Sequence, residues 1–458
     1  MCYLDHPKKL TISPSQVCQA AASCCDTPQD GYQCSPSITH SLGQYSPFFS
    51  VPSDIDSRVP QGCQVTFAQI LSRHGARDPT ASKTVQYDAL IRSVHANTSS
   101  YGPGYEFIQS YNYTLGADQL TRFGQQELIS SGIKFYQRYQ ALASKSLPFI
   151  RSSAQERVVE SARRWTQGFH NSLLADSSAT APEDFPYEIV LISEDEGMNN
   201  TLSHSLCTAF ESGVFANIGS AAKDEWAGVF MPAIREKIMR NLPGVELSSD
   251  DTINFLDMCP FNTVVHGALS PFCKLFTAEE WQQYDYYGTM DKWYGHGPGN
   301  PLGSTQGVGW VNELLARLTG TAVIDRTSTN QTLDASSITF PLNRTLYADF
   351  SHDNDMVGIL AALGVYNTTT PLSNSTFQSA ADSGGFSASW VVSFASRIYV
   401  EKLGCDGSEE EMVRILVNDR VVPLQGCDAD ALGRCTLTKF VESQSFARNG
   451  GLWDLCFE

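Results

Sequence analysis

The sequence lacks long apolar segments, an excess of positive charge, and cysteine pairs with CxxC spacing. No run of 18 apolar residues occurs, which excludes a membrane-spanning helix. Lys and Arg total 31 against 49 Asp and Glu, giving a formal net charge of −18, so a basic face for nucleic acid is not expected. None of the 13 cysteines belongs to a CxxC pair, which argues against a zinc ribbon. The acidic balance fits a soluble protein that works in acid, where many carboxylates are neutralised.

Cysteines and glycosylation sequons are what the sequence has in quantity. Many widely spaced cysteines and several N-x-[ST] sequons together favour an oxidising, secreted setting. The odd cysteine count leaves at least one thiol unpaired or paired outside the chain. Residues 1–24 have no apolar core of a signal peptide, and we predict no fold for them. The candidate glycosylation sites are Asn97, Asn112, Asn199, Asn330, Asn343, Asn367 and Asn374.

Strand and helix patterns alternate at both ends of the 458-residue chain, a length typical of two or three domains. Residues 63–71 predict a strand, and apolar residues recur with a helical period over 87–94. Residues 345–350 predict another strand before an apolar helix, and Asn418-Asp419 predict the turn of a hairpin. Residues 200–290 have mainly helical patterns instead. We therefore expect an α/β fold whose sheet is assembled from both ends of the chain, with a helical insertion.

The first predicted strand runs directly into the motif Arg73-His74-Gly75-Ala76-Arg77. A loop at this place lies at the carboxyl edge of the sheet, where open α/β sheets bind ligands. Two arginines can bind phosphate oxygens, and a histidine whose other nitrogen is hydrogen-bonded can attack phosphorus. Gly75 lets the backbone approach an anion closely. The alternative is a surface turn with two exposed arginines.

A second motif, His352-Asp353, also follows a predicted strand. If the two strands are neighbours, a nucleophile and a proton donor lie on opposite sides of one phosphate. The alternative is that Asp353 only caps the helix that follows. Arg151, at the end of a further short strand, is a weaker candidate phosphate ligand. Four of the histidines outside these motifs we interpret as structural or surface residues, namely His170, His204, His266 and His296.

The two motifs resemble those of a known family. RHGARDPT and SHDN match the signatures of the histidine acid phosphatases, and YNYTLGADQLTRFGQQEL, TLYADFSHDN and VNDRVVPL look like blocks of filamentous-fungal phytases in family order. The resemblance covers about residues 25–458. It implies a histidine-phosphatase-like α/β domain formed by residues 25–150 and 295–458. It also implies a smaller, mostly α-helical inserted domain, residues 151–294, that covers the active-site cleft.

The resemblance also implies roles for individual residues. His74 would be the nucleophile that becomes phosphohistidine, and Asp353 would protonate the leaving oxygen. Positive side chains would neutralise the phosphoryl oxygens, so neither a metal nor a cofactor is required. The expected phosphate ligands are Arg73, Arg77, Arg151 and His352.

The resemblance also implies roles for two lysines and a pairing of the cysteines. Lys83 and Lys292 match lysines that contact phytate in the family, whereas Asp78 stands where a tyrosine is frequent and makes the surroundings less positive. Cys2, Cys18 and Cys24 are left over from the family pairing. The implied disulfides are Cys25–Cys34, Cys63–Cys405, Cys207–Cys456, Cys259–Cys273 and Cys427–Cys435.

The implied function is that of a secreted, monomeric acid phosphatase hydrolysing phytate (myo-inositol hexakisphosphate), of the 3-phytase type, with no nucleic-acid or membrane partner. A mutase-like phosphotransferase would use the same phosphohistidine, but the sequons and cysteines argue against a cytosolic role. A non-catalytic phosphate-binding relative would be expected to lack His74 or Asp353, and both are present. Release of phosphate from phytate at acid pH would separate the three hypotheses.

Overall fold

The computed structural model describes residues 26–27, 31–367 and 369–458. The predictions for residues 1–24, including the three leftover cysteines, lie outside the described residues. The strands in the described part of the chain are β1 Asp26–Thr27, β2 Gly31–Tyr32, β3 Cys63–Arg73, β4 Phe149–Ser153, β5 Val190–Ile192, β6 Leu346–Ser351, β7 Arg397–Cys405, β8 Met412–Val417, β9 Arg420–Val421 and β10 Arg434–Thr436.

Helices make up most of the remaining regular structure. The α-helices are α1 Pro36–Thr39, α2 Ala81–Asn97, α3 Arg122–Arg138, α4 Gln140–Ala143, α5 Glu156–Ala175, α6 Thr208–Glu211, α7 Ile218–Asn241, α8 Ser249–His266, α9 Ala278–Gly295, α10 Val308–Thr319, α11 Gln331–Asp334, α12 Asp353–Ala362, α13 Ala388–Val392, α14 Leu437–Ser443 and α15 Ser445–Arg448. Short 3₁₀ helices span Gly43–Tyr45, Glu106–Ser110, Pro271–Leu275, Ser304–Gly307 and Trp453–Phe457.

One large sheet organises the α/β part, with strand order β10-β8-β7-β3-β6-β4-β5 and β9 paired to β8. The strands from β3 to β5 in this order are parallel, whereas β7, β8 and β10 pair antiparallel. β3 comes from the N-terminal part of the chain and lies between β6 and β7 from the C-terminal part. The predicted assembly of the sheet from both ends of the chain is therefore confirmed.

Helices cover both faces of the sheet, which is why β6 is buried along its whole length and β3 is buried from Phe67 to Arg73. On one face, α3 and α5 pack together, and the ring centroid of Trp165 on α5 lies 5.1 Å from that of Phe135 and 5.8 Å from that of Phe350. The second core joins helices α2, α8, α10 and α12 to the other face. Two buried layers thus hold the central strands in a fixed register.

The helical segment begins later in the chain than predicted. The expected boundary at residue 151 falls inside β4, which pairs with β6, and β5 extends the same sheet. Residues 151–192 therefore belong to the α/β part, and the prediction that assigned them to the helical insertion is wrong. Helices α6 to α9 follow, and Ser248 and Thr277 start α8 and α9 with reciprocal capping boxes.

Two further predictions are confirmed, one for the turn at residues 418–419 and one for four of the disulfides. Asn418 and Asp419 form the two-residue turn between β8 and β9, with φ of 47° and 70°. Such a turn matches the right-handed twist of paired strands and suits Asn and Asp. Four of the expected disulfides are formed, and the pairing of Cys34 with Cys25 falls partly outside the described residues. The four are Cys63–Cys405, Cys207–Cys456, Cys259–Cys273 and Cys427–Cys435.

Candidate active site

The two sequence motifs meet at the carboxyl edge of the sheet. β3 and β6 pair in parallel, with Arg73 opposite Ser351, so His74 and His352 both leave the sheet at the same level. Their ring centroids lie 5.8 Å apart with an interplanar angle of 72°. The condition set by the sequence, that the two strands be neighbours, is therefore met.

His74 is held in one tautomer and kept neutral. Its Nδ1 lies 2.8 Å from the carbonyl oxygen of Gly75, so Nδ1–H donates and the lone pair is on Nε2. Burial, reinforced by Arg73 and Arg157, holds the pKa of His74 well below its usual range. An unprotonated Nε2 is thus available as a nucleophile at acid pH. Gly75 is required at this turn, because a Cβ there would lie 2.4 Å from the backbone oxygen of Gly124.

Three arginines around His74 keep N–H groups without a partner. Arg73 is fully buried and stacks on Phe394, and one of its nitrogens donates to the carbonyl of Val392 at 2.6 Å. Nε of Arg73, of Arg77 and of Arg157 nevertheless has no hydrogen-bond partner among the described residues, and Nη2 of Arg73 has an ion-pair contact with Asp353 at 3.3 Å. Buried guanidinium donors without acceptors are costly. The geometry fits an anion that supplies the missing acceptors.

Arg151, predicted to bind phosphate, is engaged by carboxylates in this structure, whereas Arg157 lines the cavity. Arg151 donates to Asp349 at 3.0 Å from both Nε and Nη2, and its Nη2 also lies 2.7 Å from Glu313. The side chain is therefore consumed by a buried ion-pair network and does not line the cavity at the sheet edge. Arg157 lies in the first turn of α5 and does line that cavity.

Asp353 is the first residue of α12 and pairs with two cations. Its Oδ2 lies 2.9 Å from Nζ of Lys292 and 3.3 Å from Nη2 of Arg73. Although burial opposes ionisation, Arg73 and Lys292 hold the pKa of Asp353 well below its usual range. The backbone position before the helix is occupied by His352, so Asp353 is not the helix cap. Its carboxylate lines the cavity, where these two cations hold it.

His352 is oriented by a carboxylate that sequence reasoning missed. Its Nε2 lies 2.9 Å from Oε1 of Glu194, which also accepts from the hydroxyl of Ser153 at 2.5 Å. Burial raises the pKa of Glu194, but the bonds from His352 and Ser153 outweigh it and lower the value to about 2. An ionised Glu194 favours donation from Nε2–H of His352. The ring is thereby fixed at the cavity wall.

The comparisons with known proteins agree with this geometry. A family model for the histidine phosphatase superfamily (branch 2) matches residues 64–418. The chain belongs to this superfamily.

One relative by sequence and two solved structures show what this histidine phosphatase is similar to. Phytase A of Aspergillus oryzae (strain ATCC 42149 / RIB 40) is 50% identical over 453 residues, which cover 98% of this chain and 97% of the relative. The crystal structure of the phytase from D. castellii has a TM-score of 0.75 at 22% identity, covering 93% of this chain and 88% of that chain. A multiple inositol polyphosphate phosphatase from Bifidobacterium longum, in complex with inositol hexasulfate, has a TM-score of 0.61 at 16% identity, covering 87% and 96%. The two structures share the fold, as expected for an α/β histidine phosphatase.

The cavity of this histidine phosphatase has a volume of about 430 Å³ and is lined by both signs of charge. Lys83 and Lys292 line it as predicted. Lys83 donates to Asn254 at 2.9 Å, whereas Lys292 is largely engaged by Asp353. The prediction that Asp78 contacts the substrate is not supported by its position, since its carboxylate accepts from the backbone N–H of Gly116 at 3.0 Å and does not line the cavity.

Further charged residues of the cavity escaped sequence reasoning. Lys223 on α7 was not predicted; its Nζ lies 3.4 Å from Oδ1 of Asp291 on α9, and both residues line the cavity. Arg157 could have been found from its place in the first helical turn after a strand, the usual position of an anion ligand. Glu194 and Lys223 carry no comparable signal, because their neighbours are brought together only by the fold.

Proposed function

We propose that this protein is a secreted acid phosphomonoesterase that hydrolyses phytate through a phosphohistidine intermediate. The observation that carries the proposal is that the Nε–H groups of Arg73, Arg77 and Arg157, around the neutral His74, have no hydrogen-bond partner among the described residues. Phosphate oxygens are the acceptors that such a cluster of guanidinium groups binds best. The likeness to Phytase A over nearly the whole chain supports phytate as the substrate.

In the first step, Nε2 of His74 attacks phosphorus and the bond between phosphorus and the ester oxygen breaks. The leaving oxygen takes a proton from Asp353 and departs as an alcohol. The three arginines and His352 stabilise the charge on the equatorial oxygens. In the second step, water attacks the phosphohistidine, Asp353 accepts its proton, and inorganic phosphate leaves with His74 restored.

The protonation state of Asp353 depends on the substrate. In the free enzyme, Arg73 and Lys292 hold its pKa well below the usual range. A bound phosphate competes for these two cations and adds negative charge nearby, and both effects raise the pKa of Asp353. The proton donor therefore forms as the anionic substrate binds, which suits activity in acid.

Phosphoenzyme trapping tests the proposal directly. Enzyme mixed with radiolabelled phytate and quenched rapidly in alkali should carry labelled phosphate on His74, as an adduct that is stable in base and labile in acid. His74→Ala should lose the adduct and nearly all turnover with an unchanged melting temperature, whereas His95→Ala, distant from the cavity, should keep both. Normal phytate turnover by His74→Ala would refute the covalent mechanism.

The proposal also includes the phosphate group that is removed first and the compartment in which the enzyme works. We expect the 3-phosphate to be removed first, which NMR of the first pentakisphosphate product identifies. Secretion is supported by the four described disulfides, which persist in oxidising compartments. None of the helices in the described residues is long and apolar enough to cross a bilayer.

A further inference from the structure

His204 is a cavity residue that the mechanism above does not use. It lies in the loop between β5 and α6 and lines the cavity together with Ser203. Its Nδ1 lies 2.7 Å from Oε1 of Glu211, and its backbone N–H donates to Oδ1 of Asp355 at 2.6 Å. The side chain is 15% exposed. The ring is therefore bound on one side and accessible from the cavity on the other.

The loop that carries His204 is fixed to the catalytic strand. The hydroxyl of Ser351, the last residue of β6, donates to the carbonyl of Leu202 at 2.6 Å. The hydroxyl of Thr201 donates to Glu313 at 2.8 Å, and the Cys207–Cys456 disulfide holds the other end of the loop. His204 thus keeps a constant position relative to the His352-Asp353 motif.

The surroundings of His204 give it a positive charge. The groups that face it are Glu211 on α6, Asp353 and Asp355 on α12, and His296, whose ring centroid is 5.4 Å away. Burial opposes protonation, yet Asp355 and Glu211 raise the pKa of His204 to about 9. Burial, together with Lys292 and His204, lowers the pKa of His296 to about 3, so this neighbour stays neutral. Of these two neighbouring rings, that of His204 is therefore protonated and that of His296 is neutral.

The second nitrogen of this imidazolium has no hydrogen-bond acceptor among the described residues. Nε2 lies 3.9 Å from Oδ1 of Asp355, which is longer than a hydrogen bond. A protonated ring has a donor at each nitrogen, and only Nδ1–H is used, by Glu211. The cavity wall therefore presents a charged donor in addition to the arginines around His74.

We propose that His204 is a specificity-determining residue whose imidazolium binds a second phosphate group of a polyphosphorylated substrate while His74 acts on the first. This inference rests on the proposed function and extends it to a residue outside the reacting group. A simple monoester has no second phosphate and gains nothing from His204. A polyphosphate gains one charge-assisted hydrogen bond on the side of the cavity where α12 begins.

Binding of a non-hydrolysed probe tests this role. Calorimetry at pH 5.5 would compare inositol hexasulfate with inorganic phosphate on three proteins: the wild type, His204→Asn and His170→Asn. Asn keeps a donor for Glu211 but removes the charge and Nε2–H. His204→Asn should weaken hexasulfate binding about tenfold, the effect of one hydrogen bond between charged groups, and inorganic phosphate binding far less. His170 is a matched control, because its Nδ1 also bonds a side chain, Tyr187, away from the cavity.

Steady-state kinetics and a second variant complete the test. For phytate, His204→Asn should raise KM with little loss of kcat, because the bond is made equally in the ground state and the transition state. Glu211→Gln, which leaves the cavity wall intact, should shift hexasulfate affinity in the same direction by a smaller factor. Equal loss for hexasulfate and phosphate, or no loss in either variant, would overturn the proposal. Failure of the wild type to hydrolyse phytate would instead reject the proposed function.

Discussion

Replacing Asp353 by Asn isolates proton delivery from substrate binding. Asn has the same shape and can still accept from Nζ of Lys292, which lies 2.9 Å from the carboxylate. It removes the negative charge beside Arg73 and Lys292, so these cations become freer to bind phosphate. We therefore expect the affinity for phosphate groups to stay the same or to increase, while the leaving oxygen loses its proton donor.

The size of the effect depends on the leaving group. An inositol alkoxide is a poor leaving group and needs the proton, whereas p-nitrophenolate departs without one. Removal of a positioned general acid slows the reaction by about 10²–10⁴-fold, which corresponds to about 3–5.5 kcal/mol of barrier. Asp353→Asn should slow phytate hydrolysis by this factor and p-nitrophenyl phosphate hydrolysis much less.

The assay measures kcat and KM for both substrates at pH 5, together with single-turnover phosphorylation of His74. Thermal unfolding provides the control for the fold. If Asp353→Asn slowed both substrates by one factor while phosphoryl transfer to His74 limited both, Asp353 would be a phosphate ligand. The proton donor would then lie elsewhere in the cavity.

Three further predictions concern the arginines, the nucleophile and the sequons. Arg157→Gln should lower kcat/KM about 100-fold with an unchanged melting temperature, because a side chain that binds the phosphate is lost. Arg151→Gln should instead lower the free energy of unfolding by about 3–5 kcal/mol, because it breaks a buried ion pair. Equal melting temperatures of the two variants would contradict this assignment. Because folding holds the pKa of His74 well below 6.5, the unfolded chain takes up a proton below that pH and the folded chain does not. The free energy of unfolding should therefore fall by up to about 1.4 kcal/mol per pH unit below 6.5 through this group, and urea titrations at pH 6.5 and 4.5 should show a smaller decrease for His74→Asn. Asn199 should be unmodified, since its amide donates to two backbone carbonyls, one at 2.8 Å, while the exposed Asn343 can carry a glycan; glycopeptide mass spectrometry that finds Asn199 occupied would disprove this.

Local patterns and contiguous motifs were sufficient for much of this protein. The strand before His74, the strand before His352 and the Asn418-Asp419 turn follow from apolar periodicity and backbone preference, which are properties of neighbouring residues. The RHGAR and HD motifs identify the reacting groups because a nucleophile, its tautomer-fixing carbonyl and its anion ligands occur within a few positions. The family resemblance built on these motifs also predicted the disulfides that the structure contains.

Only the tertiary structure decided which arginine is available to a ligand. Arg151 and Arg157 lie six positions apart, Arg151 within the short strand β4 and Arg157 just after it. Arg151 points into a buried network because β6 places Asp349 beside it in the sheet, 3.0 Å away. Arg157 begins the next helix and keeps a partnerless N–H at the cavity. The local sequence does not show that Arg151 is engaged, because its partners Asp349 and Glu313 lie on distant segments.

The same reason applies to the charges that tune the site. Glu194, which orients His352, is 158 positions away from it in sequence, and the two meet only because β5 and β6 lie in one sheet. The charge of His204 comes from carboxylates on two different helices. The sequence alone determined the chemistry through adjacent residues, whereas the pKa values and hydrogen-bond partners were decided by contacts between distant segments, because electrostatic interactions depend on distance in space.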